Sequence, residues 1–241
     1  MDYKKIINEI EVSKELINMI PLKKIIELGY NLEMNSNTKV FDICCGFGTM
    51  LSLWNEVFGI TGLGIDIYDQ HIIRGNKIIK EKGQINNIVL LEEDAKVFKA
   101  DSEFNVVSMI SEDLFENIKE NIMHMNKYLS KNGNLIYGTP YKKQDNIPQE
   151  LIDFEGELLT LTELYDLFRN LGFVVTDFAC CESQEWDRYI SWSARRDMGI
   201  LYDKDSKINE DNLDWVDKWF RMHFKNRRPY EGFVMFVLKK I

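Results

Sequence analysis

The segment VFDICCGFGTML, residues 40–51, constrains this chain more than any other. Val40–Cys44 is an apolar run of strand length, interrupted by one acid, Asp42. Gly46 and Gly48 follow as a tight turn, and a helix is predicted from Thr49. Glycines at such a turn let the backbone approach a ligand and leave helix N–H groups open to it. Strand, glycine turn and helix in that order form the first half of a βαβ unit. Short apolar runs and helical stretches keep alternating from residue 39 to residue 181. The further strands are read at Gly62–Ile67, Ile88–Leu91, Phe104–Ile110, Leu135–Gly138, Phe173–Phe178 and Phe233–Leu238.

Helix signals lie between these runs. Asp69 is placed to cap a helix through Ile79 that ends near Gly83. Ser111 is placed to cap one carrying Leu114 to Leu129, with Gly133 after it. Thr160 and Glu163 have capping-box spacing ahead of Leu164, and Gly172 closes that helix. Residues 1–35 form an N-terminal helical segment in which a helix over 13–29 is interrupted at Pro21. The rhythm breaks at 182–231, a stretch holding four of the five tryptophans and six of the eight arginines. There Leu213, Val216, Phe220, His223 and Phe224 make one helical stripe, and Trp215, Trp219 and Met222 a second, so this helix is expected to be covered on two faces. We read 182–231 as a helical insertion on a single domain spanning 1–241, lying over the strand carboxyl ends.

Three acids stand at three successive strands. Asp42 lies inside the first. Asp66 ends the second, where a carboxylate accepts from both hydroxyls of a ribose. Asp94 follows the third in LLEEDA, where it can accept from an adenine amino group. That set suits a nucleoside whose far end is cationic rather than a pyrophosphate. With DICCGFG, GLGIDI, EEDA and LTLTELYDLFRNLGF in this order, the chain resembles the class I S-adenosylmethionine-dependent methyltransferases. DICCGFG stands where that family has D-x-G-x-G-x-G, with Cys44 at the first glycine. More narrowly, GITGLGIDI, GTPY and QEWDRY resemble a small bacterial subgroup.

The resemblance implies an α/β, Rossmann-like seven-stranded sheet of order 3-2-1-4-5-7-6, the last strand antiparallel. It implies S-adenosylmethionine as cofactor and S-adenosylhomocysteine as product. Residue by residue, it carries Asp42, Gly46 and Gly48 to the methionine end and turn, and Asp66 and Ile67 to the ribose and adenine face. Asp94 and Ala95 go to the adenine edge, and Ile110 and Ser111 to the region beside the sulfonium. A nicotinamide-binding domain is the nearest sibling, but position 51 is leucine where a third glycine belongs, and no tyrosine has a lysine four residues on. Two functional readings stand: an enzyme that methylates a small molecule, and a noncatalytic S-adenosylmethionine-binding sensor or subunit.

For the acceptor, Tyr141 in GTPY and the insertion are the candidates. Arg188, Trp192 and Arg195 lie at i, i+4 and i+7. Arginine presents a planar fork to carboxylate or phosphate, so an anionic group held by one or two of Arg188, Arg195 and Arg196 beneath Trp186, Tyr189 or Trp192 is expected. Glu112, Asp113, Tyr141 and Glu182 follow strands and are the candidate bases; none is singled out as catalytic. With 30 basic against 39 acidic residues, a net of −9, bulk nucleic acid and acidic membranes are disfavoured partners. Cys44-Cys45 and Cys180-Cys181 give no disulfide framework, the three histidines show no metal-ligand spacing, and no metal is assigned. The absence of a signal-like or membrane-length apolar run leads us to expect a cytoplasmic protein with reduced thiols, monomeric or a weak homodimer.

Overall fold

The computed structural model describes residues 14–110, 114–202 and 205–241. Ser111, Glu112, Asp113 and the first thirteen residues therefore lie outside the described residues. Seven strands form one sheet: β1 Lys39–Ile43, β2 Thr61–Asp66, β3 Ile88–Glu92, β4 Phe104–Ile110, β5 Leu129–Lys142, β6 Phe173–Cys180 and β7 Glu231–Lys240. Their order is 3-2-1-4-5-7-6, as the resemblance implied. β1 to β5 are mutually parallel, and β7 runs antiparallel to both β5 and β6.

Period-two alternation sends successive side chains to opposite faces. On β7, Phe233, Met235 and Val237 pack into one core, and Val234, Phe236 and Leu238 into the other. On β1, Val40 joins the first core, and Phe41 and Ile43 the second. A strand buried on both faces reads as a continuous apolar run, which is why these runs were visible in the sequence. The first core is covered by helices α1 Leu22–Asn31, α2 Thr49–Phe58 and α3 Asp69–Glu81. The second is covered by α4 Ile118–Met125 and, beyond the short α5 Gln149–Glu155, by α6 Leu161–Asn170. The insertion contributes α7 Ser183–Asp197 and α8 Leu213–Met222, and α7 packs Trp186 and Ile190 into the first core.

The capping box at Thr160 and Glu163 is formed on α6. Other local expectations need correcting. α3 starts at Asp69 with Tyr68 as its N-cap, because Tyr68 N already donates to Asp66 Oδ1. α4 starts after Asn117, whose side chain accepts from Glu120 N, and ends at Met125; Gly133 lies within β5. Pro21 is the N-cap of α1, and residues 14–20 are turn and bend rather than helix. A residue before proline is pushed out of the helical region, and the backbone carbonyls of this segment are taken by other elements. On α8, Val216 of the first stripe and Met222 of the second are buried, and Phe154 of α5 packs against Trp215 and Trp219, so both faces are covered in part; Trp215 and, just beyond the helix, Phe224 remain exposed. No helix among the described residues is long and apolar enough to cross a membrane.

Candidate functional site

The turn after β1 is set by left-handed backbone at three residues: Cys44 (φ +58°), Gly46 (φ +56°) and Gly48 (φ +65°). Cys45 N donates to Ile65 O at 2.9 Å and Gly48 N to Cys45 O at 2.9 Å, so the turn is tied to β2 and closed on itself. Gly48 is the N-cap of α2, and a Cβ there would meet Leu90 Cδ2 at 2.7 Å. No side chain fits without moving Leu90.

Two carboxylates converge on this turn. Asp66 Oδ2 accepts from Gly46 N at 2.8 Å, and Oδ1 accepts from Tyr68 N at 3.0 Å, with His71 Nδ1 3.2 Å away. Burial works to raise the Asp66 pKa, but the hydrogen bonds from His71, Tyr68 and Gly46 together outweigh it and hold it below its ordinary value. Asp42 behaves oppositely. Burial is the main cause, aided by the nearby Asp66 charge and opposed by a 2.6 Å hydrogen bond from Ser108 Oγ, and the carboxyl is pushed up to about 7. The same burial pushes the Cys45 thiol well above its usual value, so it is no nucleophile.

These groups line one cavity. Its floor is Asp42, Cys44, Cys45, Gly46 and Asp66, and its rim is Ile67, Tyr68 and His71. Ile110 and Leu114 close the β4 side, Tyr189 comes from α7, and Glu15, Leu16, Ile17 and Asn18 cross over it as a strap. The strap is held from three directions. Thr49 Oγ1 donates to Glu15 O at 2.5 Å, and Arg74 Nε donates to Glu15 Oε2 at 2.8 Å. Trp192 Nε1 donates to Lys14 O at 2.6 Å, and Arg188 Nη2 donates to Asn18 O at 2.9 Å.

Of the residues singled out for the donor, the cavity brings together Asp42, Gly46, Asp66, Ile67 and Ile110. Gly48 serves the turn behind it. Asp94 is exposed and outside the lining, and its Oδ1 accepts from Lys96 N at 2.9 Å, as a turn-capping aspartate does. Ala95 is buried in the second core. Of those singled out for the acceptor, Tyr189 reaches the cavity, and Arg188 and Trp192 reach its strap. Arg195 does not join them: it is exposed, and its Nε donates to Ser191 O at 3.3 Å on its own helix. Trp186 is buried one turn away from Tyr189, the two rings 6.2 Å apart. Tyr141 packs against Gly232, and its hydroxyl is pushed up to about 12 by burial and by the neighbouring Cys180. It stays protonated at neutral pH and is no base. Glu182 is likewise occupied, its side chain capping α7.

Sequence reasoning missed the strap, Tyr68 and His71. For His71 a signal existed: a helix starting two or three residues after a strand-end acid returns its first turn toward that acid. The strap carries no such signal, because its contacts are made by backbone carbonyls, which any residue supplies.

Phe47 of the glycine turn shares a small core with Trp192 and Leu201, and Tyr189 packs beside them.

No protein-family model matches the chain. It is 26% identical over 198 residues to the uncharacterized protein YjhP of Escherichia coli, an alignment covering 78% of this chain and 79% of that protein. Its fold superposes with a TM-score of 0.84 on an S-adenosylmethionine-dependent methyltransferase from Geobacter sulfurreducens, solved with S-adenosyl-L-homocysteine, at 22% identity and covering 94% of each chain. A methyltransferase from Thiobacillus denitrificans, also in complex with S-adenosyl-L-homocysteine, gives the same TM-score of 0.84 and 22% identity over 100% of both chains. These likenesses establish the fold.

Proposed function

We propose that this chain, which has the fold of S-adenosylmethionine-dependent methyltransferases, transfers a methyl group from S-adenosylmethionine to a small-molecule acceptor and releases S-adenosylhomocysteine. The observation that carries the reading is the pair Asp42 and Asp66 opening onto one cavity with the Gly46 turn between them. The residues present fit that donor. Three donors on the two Asp66 oxygens leave about one of their four lone-pair sites open, enough to accept from one ribose hydroxyl. Asp42, with a pKa near 7, ionises readily when an ammonium group arrives.

Bound S-adenosylmethionine supplies an already activated methyl group. The protein's task is then to align the acceptor and exclude water. Ile110, Leu114 and Tyr189 give the cavity its apolar side, and the strap at Glu15–Asn18 covers it from solvent. A cavity enclosed by strap and insertion favours a small acceptor over a polymer, and the net charge of −9 argues against nucleic acid.

Turnover separates enzyme from sensor. Purified protein with S-adenosylmethionine and a low-molecular-mass metabolite extract is expected to accumulate S-adenosylhomocysteine together with a methylated product, read by mass spectrometry. S-adenosylhomocysteine binding with no such turnover supports the noncatalytic reading instead.

A further inference from the structure

The ribose end of the donor cavity holds a polar side chain besides Asp66. His71 lies in the first turn of α3 and lines the cavity with Asp66, Ile67 and Tyr68. Its ring packs edge-on against Phe47 of the glycine turn, with centroids 5.2 Å apart, and against Tyr68 at 5.1 Å. These contacts hold the ring in place at the cavity wall, where its side chain stays about a quarter exposed.

The two ring nitrogens have different work. Nδ1 is 3.2 Å from Asp66 Oδ1. Asp66 is held below the ordinary carboxylate range, so at neutral pH it is ionised and only accepts. Nδ1 therefore carries the proton, and in the neutral ring Nε2 keeps a lone pair as an acceptor. Among the described residues Nε2 makes no hydrogen bond. A ribose presents two neighbouring hydroxyls, whereas Asp66 keeps about one open lone-pair site once Gly46 N, Tyr68 N and Nδ1 have donated to it. The second hydroxyl needs an acceptor beside the first. Glu15 does not offer one, because both of its oxygens accept from Arg74. Asp42 accepts from Ser108 and serves the ammonium end. His71 is joined directly to Asp66 and has an acceptor to spare.

We propose that His71 Nε2 accepts a hydrogen bond from one ribose hydroxyl of the adenosyl ligand while Asp66 accepts from the other. The two hydroxyls are then shared between a strand-end acid and the first turn of the next helix, in place of the expectation that Asp66 takes both. This assignment deepens the donor reading above and rests on it.

The test titrates S-adenosylhomocysteine and its 2′-deoxy and 3′-deoxy analogues into the full chain by calorimetry. Both analogues are expected to bind the wild type more weakly than the parent, by about threefold to tenfold for each lost hydrogen bond. An analogue that binds the wild type as tightly as the parent overturns the proposal, and this arm needs no variant. Two variants then separate contact from positioning. His71→Phe keeps a flat ring against Phe47 and Tyr68 and removes both nitrogens. His71→Asn keeps an amide N–H for Asp66 and removes Nε2. Both are expected to weaken the parent ligand by about the same threefold to tenfold. One of the two deoxy analogues is expected to bind both variants as tightly as the wild type, because the missing hydroxyl and the missing nitrogen made the same bond. Equal weakening of all three ligands overturns the proposal, as does wild-type affinity in His71→Asn, the result if His71 acts only through Asp66. Parent binding with unaltered His71 variants removes this contact and leaves the donor reading standing; no parent binding to the wild type overturns both.

Discussion

Cys44 occupies left-handed backbone that glycine adopts without strain, and a side chain there costs about 1–2 kcal/mol. Cys44→Gly is therefore expected to match or exceed the wild type by up to about 1 kcal/mol in chemical denaturation. Cys44→Val, closer in size but β-branched, is expected to lose about 1–2 kcal/mol. A valine variant as stable as the glycine variant would contradict the backbone account. Asp42 gives a pH prediction. Its carboxyl titrates near 7 in the folded chain against 3.8 as a free side chain, so the folded state holds the extra proton between those values. Its contribution to stability is therefore fully present below about pH 4 and lost as pH rises toward 7. Asp42→Asn should melt above the wild type at pH 8, not at pH 4, and bind S-adenosylhomocysteine more weakly. Identical melting differences at the two pH values would contradict it.

At the scale of elements, the strap and the insertion act together. Arg188 and Trp192, on one face of α7, hold the carbonyls of Asn18 and Lys14. Arg188→Ala is expected to loosen residues 14–20, speeding tryptic cleavage at Lys14 and weakening donor binding severalfold, while α7 stays helical. Unchanged cleavage would show that the strap is held without it. The capping box of α6 was legible because its chemistry is local: Thr160 and Glu163 satisfy each other's backbone N–H groups. Thr160→Ala should cost about 1 kcal/mol, read by denaturation. The starts of α3 and α4 were less legible. Several polar residues stand near each start, and the one used is set by local hydrogen bonds: Asn117 caps Glu120 N, and Tyr68 N donates to Asp66 just before Asp69. The two apolar stripes of α8 were legible, and the second is covered by Phe154 and Leu151 of α5, although Trp215 at its start stays exposed.

At the scale of the whole molecule, the sheet was the most legible feature. Strands buried on both faces must be apolar throughout, and β7 alternates between the two cores without a break. The strand order came from resemblance, because periodicity says nothing about which strands are neighbours. Of the site, Asp42, Gly46 and Asp66 were legible because their chemistry is tied to strand ends. The strap is joined to α7 by residues far apart in sequence, and no local pattern announces it. The central claim is that these strand ends hold an adenosyl ligand. Calorimetric titration of S-adenosylhomocysteine into the wild type and into Asp66→Ala tests it most directly. Charge-assisted hydrogen bonds are worth ~1.5–3 kcal/mol each, so the account predicts one-to-one binding to the wild type and an affinity at least about tenfold lower in the variant. No binding to the wild type would contradict it.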